Sequence, residues 1–197
     1  MLKITRKWLD KKRACCSEID KIRAEKEFFG DPILILGHLL EKNRGKKANW
    51  LITNLMDKKQ CSEYAIFAAE QVIHIFKEQC PIDKRPEIAI DAAKKCLKNP
   101  CKKTKIATRK AADDAAAAAD TSNTAAALAT SYVALATSYV ARAIYYATTD
   151  AYDATYYVAT DGAKAAYYAA NAINNTATYK KIVRNGIKIL KKGECNV

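Results

Sequence analysis

Ala129-Thr130-Ser131-Tyr132-Val133-Ala134 is repeated, residue for residue, as Ala136-Thr137-Ser138-Tyr139-Val140-Ala141. The two copies lie seven residues apart. Downstream the period changes. Tyrosine doublets stand at Tyr145-Tyr146, Tyr156-Tyr157 and Tyr167-Tyr168, each eleven residues after the last, and Tyr179 falls eleven after Tyr168. Seven and eleven residues are both close to a whole number of helical turns, so each repeat holds its tyrosines on one helix face. Alanine is the strongest helix former, and 26 of the 68 residues from 111 to 178 are alanine. A pure alanine face buries little area, and tyrosine supplies what is missing.

The stretch predicts two or three helices rather than one rod. A single helix over 111–178 would extend roughly 100 Å at 1.5 Å per residue, with no leucine seam to support it. Breaks are expected at Asp120-Thr121-Ser122-Asn123, Thr148-Thr149-Asp150 and Asn174-Asn175-Thr176, where capping residues cluster. An amphipathic helix follows from Tyr179 to Leu190. It turns Ile182, Val183, Ile187 and Leu190 inward, with Gly193 as its cap.

Upstream, the chain divides into short amphipathic segments. Ile4, Trp8 and Leu9 start a stripe that continues through Ile19 and Ile22 toward Phe28 and Phe29. Asp31-Pro32 is an N-cap followed by a first-turn proline, and the helix it opens would bury Ile33, Leu36, Leu39 and Leu40. Asn43-Arg44-Gly45 stops that helix. Trp50, Leu51, Leu55 and Met56 mark the next. A longer helix is expected from Cys61 to Cys80, with Tyr64, Phe67, Ala68, Val72, Ile75 and Phe76 inward. Pro81-Ile82-Asp83-Lys84-Arg85-Pro86 is a stiff turn in which Asp83 or Arg85 should cap a neighbouring helix. Glu87 to Leu97 is helical again, ended by Asn99-Pro100.

The chain has 197 residues with only six glycines and four prolines, too few for an all-β protein. The expected fold is all-α: a multi-helix bundle with an alanine- and tyrosine-rich C-terminal half. Its two parts are a basic head, 1–110, and helices over 111–197 that pack on it, together one globular unit. The formal charge of +13 is unevenly spread. Residues 1–110 carry 26 Lys+Arg against 14 Asp+Glu, residues 111–178 carry 2 against 6, and residues 179–197 carry 6 against 1.

No catalytic motif is present: no nucleophile elbow, phosphate loop or paired-histidine zinc motif. The seven cysteines show no C-x-x-C and there are only two histidines, so neither a metal nor another cofactor is expected. An odd cysteine count without a secretory leader fits reduced thiols in the cytoplasm. Ala125 to Ala141 is uncharged, yet it is alanine-rich and ended by Arg142 short of a membrane span, so no membrane insertion is expected.

Glu70 and His74 would sit at i and i+4 of one helix, either as an acid–base or half-metal pair or, better supported, as a surface hydrogen bond. Asp113, Asp114, Asp120, Asp150, Asp153 and Asp161 suit solvation and capping better than metal binding. The tyrosine ladder could stack nucleobases, but its segment is net acidic, and packing is the better expectation. Lysine clusters, above all Lys102, Lys103 and Lys105, are the route by which nucleic acid would be held.

One further signal is a resemblance. The run Tyr64-Ala65-Ile66-Phe67-Ala68-Ala69-Glu70-Gln71-Val72-Ile73, then Ile75-Phe76, Pro81 to Pro86 and Ala89-Ile90-Asp91-Ala92-Ala93, resembles the alanine-rich "putative immunity protein" family of phages and bacteria. Trp50-Leu51 and the alanine-tyrosine tail fit as well, so the resemblance covers roughly 45–190. It implies an all-helical, non-enzymatic protein that binds and blocks a protein partner, a toxin or a host defence component. The residues expected to face that partner are Glu70, His74, Asp83, Arg85, Tyr145, Tyr156 and Tyr167. The alternative is a nucleic-acid-binding protein that uses the basic head.

Overall fold

The computed structural model describes residues 4, 5, 7, 8, 30–120, 125–149, 153–173 and 176–194. Among these residues nine α-helices follow one another and no strand forms. They are α1 (Pro32–Glu41), α2 (Gly45–Leu55), α3 (Lys58–Glu70), α4 (Ile73–Gln79), α5 (Arg85–Lys98), α6 (Lys102–Ala117), α7 (Ala125–Ala147), α8 (Ala154–Ala172) and α9 (Thr176–Glu194), with a 3-10 turn Ala118–Asp120 after α6. The one β-type contact among them is an isolated bridge in which Ile4 N–H donates to the Gly30 carbonyl at 2.9 Å. The stripe expected through Leu9, Ile19, Ile22, Phe28 and Phe29 lies outside the described residues, as do the capping residues expected at 121–123, 150 and 174–175.

Local chemistry sets most of the boundaries. Asp31 caps α1 by accepting from Ile33 N–H at 2.8 Å, with Pro32 in the first turn. Asn43, at φ 56°, closes α1. Arg44 N–H donates to Leu39 O at 2.8 Å and Asn43 N–H to Leu40 O at 3.2 Å, the Schellman pattern with asparagine in the left-handed position. At α3 the Asp57 side chain accepts from Gln60 N–H at 2.7 Å, and the Gln60 side chain accepts from Asp57 N–H at 3.0 Å. This reciprocal capping box starts the helix three residues before Cys61.

Two sequence expectations need correction. The helix expected over Cys61 to Cys80 is two helices, interrupted at Gln71-Val72. Gln71 folds its own amide back onto Phe67 O at 3.1 Å, and the bend lets α4 drive Phe76, fully buried, into the core while α4 packs on α7. The last helix does not stop at Gly193. It runs from Thr176 to Glu194, because its apolar stripe stays docked on α2 and α3. The capping expected at the Pro81 to Pro86 turn comes from Asp83, on the helix that follows it. Its carboxylate accepts from Arg85 N–H at 3.0 Å, at the first residue of α5, and pairs with the Arg85 guanidinium at 2.7 Å.

The centre of the bundle is α7, which packs against α3, α4, α5, α6 and α8. Val133, Ala134, Ala136, Thr137, Val140, Ala141, Ala143 and Ile144 are all fully buried. A helix enclosed on three sides has no room for charge, which explains the uncharged stretch from Val133 to Ala141. Its hydroxyls satisfy themselves locally, as Thr137 does by donating to Ala134 O at 2.8 Å. No helix among the described residues is long and apolar enough to cross a membrane. Alanine lets its neighbours come close: Ala89 of α5, Ala111, Ala112 and Ala115 of α6 and Ala141 of α7 form one cluster. The main core joins Leu36 and Leu39 of α1, Ile52 of α2, Tyr64 of α3, Val133 of α7, Val158 of α8 and Ile182 and Val183 of α9.

Candidate functional site

The tyrosine repeats meet between α7 and α8. Tyr132, Tyr139 and Tyr146, seven apart on α7, face Tyr157 and Tyr168, eleven apart on α8. Tyr139 and Tyr168 stack with ring planes 4° apart and centroids at 5.4 Å. Tyr132 leans on the other side of Tyr168 at 5.9 Å, and Tyr146 stacks on Tyr157 at 4.8 Å. Neighbours in a helix point about 100° apart, so the other member of each α8 doublet meets the seam only edge-on, Tyr156 against Tyr157 at 5.7 Å and Tyr167 against Tyr168 at 5.3 Å. Tyr156 and Tyr167 instead line an open cleft of about 360 Å³ between α2, α8 and the start of α9, together with Lys46, Trp50, Asn54 and Lys164.

Buried polar bonds hold that cleft. Asn49 of α2 accepts from the Tyr64 hydroxyl at 2.8 Å and donates to Ala163 O of α8 at 2.7 Å, tying three helices together. Tyr179 packs on the first turn of α2. A Cβ on Gly45 would lie 2.9 Å from its ring, so only glycine fits there. Burial raises the Tyr179 hydroxyl well above the usual phenol range.

One side of α8 therefore gathers Tyr156, Tyr157, Thr160, Lys164, Tyr167, Tyr168 and Asn171 within a sector about 120° wide at 100° per residue, with Tyr157 and Tyr168 at the edge packed on α7 and the Asn171 amide nitrogen buried. Tyr156 is 48% and Tyr157 40% exposed, and the other tyrosines are half-buried. Lys164 is the single charge on this face. The acid of this helix, Asp161, stands at the edge of the sector, about 20° beyond Tyr168, but is only 1% exposed, with its carboxylate 3.3 Å from Arg142 Nε. Burial raises its pKa against the opposing pull of Arg142 and Lys164. Asp161 is thus neither a capping nor a solvating residue, and the net acidity of 111–178 is not displayed beside these tyrosines.

Three cations are laid over tyrosine rings at the face. Lys46 Nζ stands 5.0 Å from the Tyr167 centroid, while Lys164 Nζ at 4.9 Å and the Arg142 guanidinium at 5.1 Å share Tyr139. Rings stacked on one another or covered by a cation do not offer free π-faces to bases. They present edges and hydroxyls instead.

The residues expected from sequence do not gather in one place. Tyr156 and Tyr167 share the cleft. Tyr145 lies elsewhere, with the Arg109 guanidinium of α6 5.7 Å from its ring. Glu70 ends α3 and pairs with Lys94 of α5 at 2.6 Å. His74 is exposed on α4, so the two are not on one helix and form no pair. Asp83 and Arg85 hold the turn before α5. Lys102 and Lys103 are exposed and Lys105 half-buried at the start of α6. Sequence reasoning missed Lys46, Trp50, Arg142 and Lys164. Only Lys164 had a legible signal, because a helical wheel of α8 places it in the sector of the four tyrosines.

No curated protein and no solved structure matches the chain. A family model does match, over residues 51–192, from the middle of α2 through nearly all of α9, and so takes in the buried α7, the tyrosine seam and most of the cleft. With most of its length matched, the chain belongs to the Imm-5 like putative immunity protein family.

Proposed function

We propose that the chain is a non-enzymatic interaction protein that binds and blocks a protein partner, and that the partner docks on the outer face of α8 and the adjoining α2 cleft. The observation that carries this reading is the composition of that face. In a protein with 28% charged residues, a helix of 19 residues gathers four tyrosines, a threonine, an asparagine and one lysine into one sector, with Tyr156, Tyr157 and Lys164 its exposed members. Tyrosine enrichment with charge depletion is the signature of interface cores rather than of ordinary surface. The seam and the cations fix the side chains in advance, which lowers the entropy lost on docking. Membership of an immunity family supports a toxin or a host defence component as the partner, with a phage or prophage setting and a cytoplasmic site of action. The remaining expected residues, Glu70, His74, Asp83, Arg85 and Tyr145, would then serve the fold or the rim.

The test is affinity capture from nuclease-treated host lysate, with the chain and its Tyr156→Ala/Tyr167→Ala variant as baits. A protein retained in near-equimolar amount by the first and lost by the second is expected, with both baits melting within a few degrees of each other. If nuclease removes everything the bait retains, the reading falls and the basic head takes its place.

A further inference from the structure

The docking face is rich in hydrogen-bond donors and poor in exposed acid. Lys46, Arg142 and Lys164 only donate, and each is held over a tyrosine ring, so its position is set before any partner arrives. The phenol hydroxyls around them donate as readily as they accept. Asp161, the carboxylate at hand, is buried under Arg142. Next to this face α9 adds further positive charge. Lys181, Arg184, Lys188, Lys191 and Lys192 are all exposed and fall in a sector about 100° wide, opposite the buried Ile182, Val183 and Gly186. The whole chain is at +13.

We infer that the partner is a protein whose contact surface is acidic, presenting aspartate or glutamate carboxylates that seat between Lys46 and Lys164 on the tyrosine face. This rests on the docking face proposed above and adds the chemistry of what it accepts. A carboxylate there receives charge-assisted bonds from ammonium and phenol together, and the charge on α9 steers such a surface inward from a distance. A partner that works through a basic surface is repelled at the same place. The covered tyrosine faces disfavour nucleic acid as the occupant.

A displayed library of random 16-residue peptides, selected on the chain at low salt and then counter-selected on the Tyr156→Ala/Tyr167→Ala variant, tests the inference. The surviving peptides are expected to be net negative, with Asp and Glu enriched at least about twofold over the input library. The tightest of them should weaken about tenfold with Lys46→Glu/Lys164→Glu, and about fivefold between 0.05 and 0.3 M salt, as screened charge pairs do. A neutral or basic pool, or one indifferent to the two lysine reversals, overturns the inference and leaves the docking face standing. Peptides that bind the tyrosine variant equally well, or no enrichment at all, overturn both. Duplex DNA displacing the peptides at submicromolar concentration would make this a nucleic-acid surface.

Discussion

Asp83 performs two tasks at the start of α5, and the two can be separated. Its carboxylate accepts from the Arg85 N–H and also from the Arg85 side chain. That bonding holds its carboxyl below the usual carboxylate range. Losing a capping acceptor costs about 1 kcal/mol, whereas a solvent-facing ion pair is worth only about 0–1 kcal/mol. Asp83→Ala is therefore expected to cost about 1 kcal/mol and Arg85→Ala clearly less, in chemical denaturation. Equal losses would mean that the guanidinium, not the cap, holds the turn. Asp161 acts in the opposite direction. A carboxyl whose pKa is raised in the folded chain binds its proton more tightly there than in the unfolded chain. Its contribution to stability therefore falls as pH rises from the ordinary carboxylate value through the raised one, and above that the buried charge is a burden. Asp161→Asn should melt above the parent protein at neutral pH, with the gain shrinking as pH falls toward about 4. A variant that melts lower at neutral pH would show that attraction to Arg142 outweighs burial.

At the scale of helices, two glycines make contrasting cases. Gly186 of α9 crosses α2 and α3 so closely that a Cβ would lie 2.6 Å from Ile52 Cδ1 and 2.8 Å from the Tyr64 ring, both fully buried. Tyr64 is pinned by its bond to Asn49 and cannot give way. Gly186→Ala is expected to cost about 1–3 kcal/mol by overpacking. Gly37, inside α1, has open space on its side-chain face, with nothing within 4 Å of where a Cβ would stand. There Gly37→Ala should stabilise by about 0.4–1 kcal/mol, by restricting the unfolded chain. Thermal melts of the two variants should shift in opposite directions. The helices themselves were largely legible. Asp31-Pro32 announces the start of α1, because capping chemistry acts within a few residues. The break at Gln71-Val72 was not legible. No glycine or proline marks it, and it exists because Phe76 has to turn into the core beside α7.

Over the whole molecule the charge of +13 is divided among separate places. The lysines at the start of α6 ride on a helix packed against α5 and α7, while those of α9 ride on a helix packed against α2, α3 and α8. Others are already engaged: Lys94 with Glu70, and Lys77 and Lys84 with Glu87. A charge divided in this way neutralises few phosphates at any one place and so attracts polyanions weakly. No submicromolar complex with RNA or duplex DNA is expected in a mobility-shift assay at about 0.15 M salt, and Lys102→Glu/Lys103→Glu/Lys105→Glu should leave partner binding unchanged. A tight complex abolished by that triple reversal would restore the basic head as the functional surface. The sequence by itself determined an all-helical chain, the positions of most helix ends and the tyrosine periods, because propensity, capping and periodicity are local. It could not say which tyrosine of each doublet packs and which faces outward. That depended on α7 covering one side of α8 while α2 stops short on the other. Nor could it show Asp161 hidden while Lys46, Arg142 and Lys164 converge from three helices, since only tertiary packing brings residues more than a hundred positions apart onto one face.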